Sequence, residues 1–261
     1  MGQPILAVEH LQVCYTGKPV LEDISLTIEP GQILGIVGES GSGKSTLIKA
    51  AMGLLDSDGA VTGGRILYKD QDITALRGEE LRRLRGPQMG MIFQNTEASL
   101  CPIRTIQDQL FEAVLQHEKI SRQEIRERAM ELFDKMKLAD GDRILKSYPF
   151  ELSGGMNQRV GIMMAMILQP SLLFCDEPTS ALDVTVQAQV VREMMKMREL
   201  FGTTIVIVTH NIGVVEYMAD KVAVMHRGRL VEYGDTKEVM HHPQKEYTRR
   251  LISAVLRIHR G

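Results

Sequence analysis

The sequence predicts an α/β fold with a parallel β-sheet at its centre, and three features carry that expectation. An apolar run at residues 33–37 leads into Gly38-Glu39-Ser40-Gly41-Ser42-Gly43-Lys44-Ser45-Thr46, which opens a helix-like stretch at 47–55. Two further runs, Leu172-Leu173-Phe174-Cys175 and Thr204-Ile205-Val206-Ile207-Val208, are continuous rather than alternating, as in strands covered on both faces. A helical segment at 184–200 separates them, and such strand–helix alternation is the pattern of a parallel sheet.

The first third reads as β-rich, with strands at 5–8, 12–15, 24–28, 33–37, 61–68 and 89–93. Thr16-Gly17-Lys18-Pro19, Pro30-Gly31 and Gly63-Gly64 supply the turns between them. After Gln94 the texture becomes helical, at 106–117 and 122–138. In the second stretch Ile125, Ala129, Leu132, Phe133 and Met136 recur at helical spacing among charges. This region reads as a helical insertion ending near Pro149. Ser153-Gly154-Gly155 then opens a helix to about residue 168, and a last helix is expected at 247–258.

A chain of 261 residues suits one sizeable domain with an appended subdomain. Its net charge of −2 argues against an overall nucleic-acid-binding surface. The longest apolar run, 160–168, is half of the ~18 residues a spanning helix needs. Met1-Gly2-Gln3-Pro4 lacks the basic and apolar regions of a secretory leader. Cys14, Cys101 and Cys175 are odd in number and far apart, against a disulfide framework or structural zinc and in keeping with a reducing cytosol. Met163, Met164, Met166, Met194, Met195 and Met197 read as adaptable core packing, and His241-His242 as a solvated pair before Pro243.

The segment Gly38–Ser45 fits G-x-x-x-x-G-K-[ST], with strand before and helix after. Its glycines let the backbone wrap an anion, while consecutive N–H groups and the helix N-terminus point at phosphates. Lys44 is placed to neutralise the β- and γ-phosphates, and the Ser45 hydroxyl to ligate Mg²⁺. Asp176 and Glu177 follow a buried strand, where ligands bind in such sheets. Asp176 is placed to hold Mg²⁺ and Glu177 to polarise an attacking water. His210 ends the next strand. By itself it fits a structural role as well as a γ-phosphate contact.

Leu152-Ser153-Gly154-Gly155-Met156-Asn157-Gln158-Arg159 closely resembles the LSGGQ-type signature of ATP-binding cassette (ABC) ATPases, with Met156 where Gln is commonest. The resemblance covers nearly the whole chain. It implies a RecA-like P-loop NTPase core with a parallel sheet, an N-terminal antiparallel β subdomain and an inserted helical subdomain, the ABC ATPase fold. It gives Tyr15 the place of the aromatic that stacks on adenine. Gln94 takes that of the Q-loop glutamine, which reaches metal and attacking water. Ser180-Ala181-Leu182-Asp183 takes that of the D-loop, with Asp183 beside nucleotide, and His210 that of the switch histidine. Ser153, Gly154 and Gly155 are then expected to contact ATP held by a partner in a head-to-tail dimer.

The finer resemblance is to ATPases of dipeptide, oligopeptide and nickel importers. It rests on Glu39-Ser40 in the loop, Ile92-Phe93-Gln94-Asn95 and Ser99-Leu100-Cys101-Pro102, Tyr148 to Met156, Ser180 to Thr185, and Gly228 to Gly234. It implies an energy-coupling ATPase at the cytoplasmic face of the inner membrane, using ATP and Mg²⁺. A second, non-identical ATPase subunit, two membrane permease subunits and an extracytoplasmic binding protein complete the expected system. The cargo stays open between peptides and nickel or metal chelates, with the short C-terminal segment leaning to the latter. The competing readings are a soluble ABC ATPase not coupled to transport and a non-hydrolysing regulatory cassette. The expected division is a nucleotide-binding core with its β subdomain at 1–94 and 156–240, a helical and signature subdomain at 95–155, and a C-terminal extension at 241–261.

Overall fold

The computed structural model describes residues 2–180 and 182–258; Met1, Ala181 of the expected D-loop and the last three positions of the expected extension lie outside them. In chain order the strands are β1 (Leu6–Tyr15), β2 (Lys18–Ile28), β3 (Ile33–Val37), β4 (Gly59–Tyr68), β5 (Gln71–Asp72), β6 (Met89–Ile92), β7 (Leu172–Asp176), β8 (Thr204–Val208), β9 (Lys221–His226) and β10 (Arg229–Asp235). The helices are α1 (Lys44–Met52), α2 (Gly78–Leu84), α3 (Thr96–Ser99), α4 (Ile106–Leu115), α5 (Arg122–Lys135), α6 (Gly141–Lys146), α7 (Gly154–Met166), α8 (Val184–Phe201), α9 (Ile212–Met218), α10 (Thr236–His241) and α11 (Glu246–Ile258).

One sheet has four strands in the order β2-β1-β4-β5, all antiparallel. The other has six, β10-β9-β3-β8-β7-β6, parallel except for the β9–β10 hairpin. Every residue of β3, β7 and β8 is buried. Successive side chains part to opposite faces, as the two-residue strand period requires. Leu34, Ile36, Leu172, Phe174, Val206 and Val208 pack with α1 and the antiparallel sheet. Ile33, Leu173, Cys175, Ile205 and Ile207 pack against the helical region instead. The uninterrupted apolar runs are thus two interleaved faces. Asp176 continues the Leu172–Phe174 series, which turns it toward α1.

Capping fixes several helix starts. Thr105, Ser121 and Ser153 accept hydrogen bonds from the backbone N–H of Asp108, Glu124 and Met156, opening α4, α5 and α7. Met163, Met166, Met194 and Met197 are fully buried, and Met164 and Met195 pack against the same core, as expected. His241 faces Glu216 at 3.7 Å, and no group of three metal-ligating side chains occurs among the described residues. No described helix is long and apolar enough to cross a membrane.

The structure differs from expectation in the first sheet. Residues 6–8 and 12–15 of the two expected strands belong to one strand, β1, which a bulge at His10 (φ 50°) bends without ending it; Ile5 lies just before it. Lys18 and Pro19 lie inside β2, and the hairpin turn is Thr16-Gly17 alone, both with positive φ. The bulge presses on Gly64 (φ +74°): a Cβ there would lie 2.3 Å from His10 O and 2.4 Å from Glu9 O. At Gly17 (φ +76°) a Cβ would meet nothing within 4 Å. Gly17→Ala should therefore cost only the left-handed backbone penalty, about 1 kcal/mol. Gly64→Ala adds overlap with backbone that cannot yield, for a total of about 3 kcal/mol. Urea denaturation of the two variants beside the parent measures both costs.

Candidate functional site

Four parallel strands end on one edge of the larger sheet. Beyond β3 lies the loop Gly38–Gly43, beyond β6 Gln94, beyond β7 Glu177, and beyond β8 Thr209-His210. This edge is the expected ligand-binding crevice of such a sheet.

The loop is tightly built at its back and open at its front. Gly38 (φ +153°) runs so close to β9 that a Cβ would sit 2.1 Å from Met225 O. Ser42 O accepts from the Gly228 N–H at 3.0 Å, so the β9–β10 turn also backs the loop. Over Gly41 a Cβ would meet nothing within 4 Å. Lys44 Nζ donates to Gly38 O and Glu39 O, both at 2.8 Å. Burial lowers the Lys44 pKa, against the opposing pull of Glu177 and then Asp176. Helix α1 starts at Lys44, and Leu47 N–H donates to Gly43 O at 3.0 Å. The N–H groups of Lys44, Ser45 and Thr46 thus belong to the exposed donors of a helix start.

Ser45 Oγ donates to Asp176 Oδ1 at 2.9 Å, joining α1 to the end of β7. Burial is the main cause raising the Asp176 pKa; Ser45, Lys44 and Lys49 oppose it and Glu177 reinforces it. Glu177 sits in the left-handed region (φ 47°), pinned by its N–H to Val208 O at 2.9 Å and by its carbonyl to Ser180 N–H at 3.0 Å. That costs a non-glycine residue about 1–3 kcal/mol, a kind of strain that clusters at functional sites. Its Oε2 accepts from Gln94 Nε2 at 3.3 Å and meets His210 Nδ1 at 3.3 Å. Two side chains from separate strand ends therefore converge on one carboxylate oxygen. His210 is 67% exposed while Glu177 is 20% exposed, so the histidine covers the carboxylate from the solvent side.

Lys44 and Ser45 of the Gly38–Thr46 loop thus form one cluster with Gln94, Asp176, Glu177 and His210. The other predicted residues lie elsewhere. Tyr15 ends β1 and packs on Gly59. Its phenol pKa is raised, first by burial and then by Asp56. Ser153 caps α7; a Cβ on Gly154 would meet nothing within 4 Å, and one on Gly155 would meet Val186 of α8. Asp183 Oδ1 caps α8, accepting from Thr185 and Val186 N–H at 3.0 Å.

Three residues at the site carry no local sequence signal. Tyr247 in α11 accepts a hydrogen bond from Glu39 N–H and stacks on His226. Thr96, two residues past Gln94, donates to Gln158 Oε1 at 2.7 Å and so ties this edge to α7.

The donor set suits a polyphosphate with a hard cation. It combines a buried ammonium, open amides over Gly41, and the paired oxygens of Ser45 and Asp176.

A family model described as ABC transporter matches residues 21–180. The oligopeptide transport ATP-binding protein AmiE of Streptococcus pneumoniae is 42% identical over 236 residues, 90% of this chain. The chain spans 66%, just under two thirds, of AmiE's length. The dipeptide transport ATP-binding protein DppD of Bacillus subtilis is 40% identical, over 98% of this chain and 78% of DppD. Among solved structures, cbiO1 from Clostridium perfringens, part of the ABC transporter complex cbiONQ, superposes with a TM-score of 0.79 at 31% identity, covering 98% of each chain. The dimeric post-hydrolysis state of the cassette MJ0796 bound to ADP and Pi gives 0.77 at 26% identity, over 88% of this chain and 98% of that one.

Asp176 yields a pH prediction. A carboxyl with a raised folded pKa binds more protons folded than unfolded. Its stability cost is therefore absent below its ordinary pKa and grows as pH rises through the raised one. Asp176→Asn should melt at a higher temperature than the parent at pH 7 without nucleotide. The gap should narrow as pH falls toward the carboxylate range, as differential scanning fluorimetry across pH would read.

Proposed function

The chain belongs to the ABC transporter family, and from that premise we propose that it is the ATP-hydrolysing, energy-coupling subunit of a peptide importer. The observation that carries this reading is the convergence of Gln94 and His210 on the Glu177 carboxylate, beside the Ser45–Asp176 pair and Lys44. A regulatory cassette that only binds nucleotide has no need of that arrangement.

Lys44 and the loop of Gly38, Glu39, Ser40, Gly41, Ser42 and Gly43, with Ser45 and Thr46 at the helix start, bind the phosphates, and Tyr15 stacks on the adenine. Ser45, Asp176 and Gln94 would supply oxygen ligands for Mg²⁺, which would offset phosphate negative charge. Glu177 takes the proton of the attacking water as general base. Gln94 and His210 orient its carboxylate, and His210 also faces the charge that develops on the γ-phosphate. Ser153, Gly154, Gly155 and Asp183 contact nucleotide held by a second ATPase subunit, non-identical to this one. Its counterparts complete the site described here.

The functional division follows: core and β subdomain at 1–94 and 156–240, helical and signature subdomain at 95–155, extension at 241–261. Two permease subunits and an extracytoplasmic binding protein complete the importer, with this chain on the cytoplasmic face of the membrane. Relatives named for oligopeptide and dipeptide transport favour peptide cargo over nickel or metal chelates.

Glu177→Gln removes the base and keeps the hydrogen-bonding shape. In the reconstituted transporter it should lower kcat for ATP hydrolysis by about 10²-fold or more and leave nucleotide-bound dimers that persist. Single-turnover hydrolysis and size-exclusion chromatography measure the two effects. Hydrolysis at the parental rate would remove Glu177 from the chemistry.

A further inference from the structure

The α11 helix, far along the chain from the phosphate loop, touches it. Glu39 N–H donates to Tyr247 Oη at 3.3 Å. The carbonyl of the same peptide group, Gly38 C=O, accepts from Lys44 Nζ at 2.8 Å. The Gly38–Glu39 peptide is therefore held at both ends, by the lysine on its oxygen and by a tyrosine on its nitrogen. It is also the peptide most in need of holding. Gly38 has no Cβ to restrict rotation, and its φ of +153° lies where L side chains rarely go. Rotation of that peptide would swing its carbonyl away from Lys44 and its N–H away from Tyr247.

Tyr247 is itself fixed. Its ring packs on His226 with centroids 4.0 Å apart, and His226 Nδ1 lies 4.0 Å from Glu39 Oε2. The start of α11 is anchored by β10: Glu232 Oε1 accepts from Gln244 N–H at 2.7 Å and Oε2 from Lys245 N–H at 3.2 Å. Val239 and Met240 of α10 join Val37, Val222 and Val224 in a small core with Tyr247 packed against it. Burial is the first cause raising the Tyr247 pKa, so the phenol stays a neutral hydroxyl able to accept the bond.

We propose that Tyr247 is a positioning residue for nucleotide binding, its hydroxyl holding the Gly38–Glu39 peptide in the orientation that seats Lys44 and presents the loop amides. The C-terminal helix is then a working part of the phosphate site. This rests on the reading of that loop as an ATP site. The loop amides serve the inner phosphates and Lys44 the outer ones. Because it acts on the loop amides as well as on Lys44, losing the Tyr247 hydroxyl should weaken both ATP and ADP, whereas losing Lys44 should weaken ATP far more than ADP.

The test uses the full chain and a fluorescent ATP or ADP analogue in equilibrium titration. Tyr247→Phe keeps the ring stack and deletes only the hydroxyl. Its Kd for both nucleotides should rise about fivefold, the loss expected of one hydrogen bond, with the melting temperature lowered by no more than about 4 °C. Hydrogen–deuterium exchange at residues 38–43 should quicken in the same variant. Glu232→Ala, which frees the start of α11 without touching the loop, should weaken both nucleotides in the same direction. Lys44→Ala separates the two ideas. If it binds ATP like the parent, the ATP reading of the loop fails. If it loses ATP while Tyr247→Phe binds and exchanges like the parent, the ATP reading stands and the role of Tyr247 is overturned.

Discussion

The Ser45–Asp176 hydrogen bond is the contact around which the site is arranged. It crosses from the first turn of α1 to the end of β7, and so fixes the phosphate loop against a strand two places away in the sheet. The strand period decides that Asp176 faces α1, because it falls on the same face as Leu172 and Phe174. Burial makes its negative charge costly, and Lys44 and Lys49 offset only part of that cost. A buried carboxylate beside a hydroxyl, with an ammonium close by, is poised to gain from a cation bound there.

Outward from that contact, polar side chains bind the helical region to the strand edge that carries Gln94. Thr96 Oγ1 donates to Gln158 of α7, so the segment that carries Gln94 is fastened to the signature helix. One residue on, Arg159 meets Glu193 of α8 at 2.5 Å and donates to Met136 O beyond the end of α5 at 2.7 Å. Both partners are nearly buried. Burial raises the Glu193 pKa and Arg159 opposes it, the balance of a desolvated ion pair whose net stabilisation is small but whose loss is costly. Gln94, α7 and α8 are thereby tied together in one structure.

Legibility followed locality. The phosphate loop, the Asp176-Glu177 pair and the buried strands were readable because each lies in one short segment with a strong physical signature. The long helices α4, α5, α7 and α8 were readable by their spacing and caps. Short elements such as α2, α6, α9 and α10 were not, since seven residues or fewer hold too little periodicity and depend on packing for stability. The β1 bulge was hidden because His10 looks like any exposed strand residue until Gly64 is seen against it. Tyr247 and His226 were invisible for a related reason. Their bearing on Glu39 exists only once α11 folds back on β9 and β10, more than two hundred residues from the loop.

The two anion-binding features face different neighbours. Lys44 turns inward, with two of its three donors engaged by the loop carbonyls. Ser153 and Gly154 open α7 with only the Met156 and Asn157 N–H groups engaged by Ser153, and with free space over Gly154. No hydrogen bond among the described residues joins Ser153–Gly155 to Gly38–Thr46. A helix start bears partial positive charge and unpaired donors, a cost unless an anion, a cap or water meets it. Ser153 satisfies one donor and leaves the rest accessible at a place where bulk is missing. On the reading proposed above, a phosphate seated on Lys44 finds such donors on the second subunit, and the energy that closes the pair comes from the ligand itself and is lost when the outer phosphate departs.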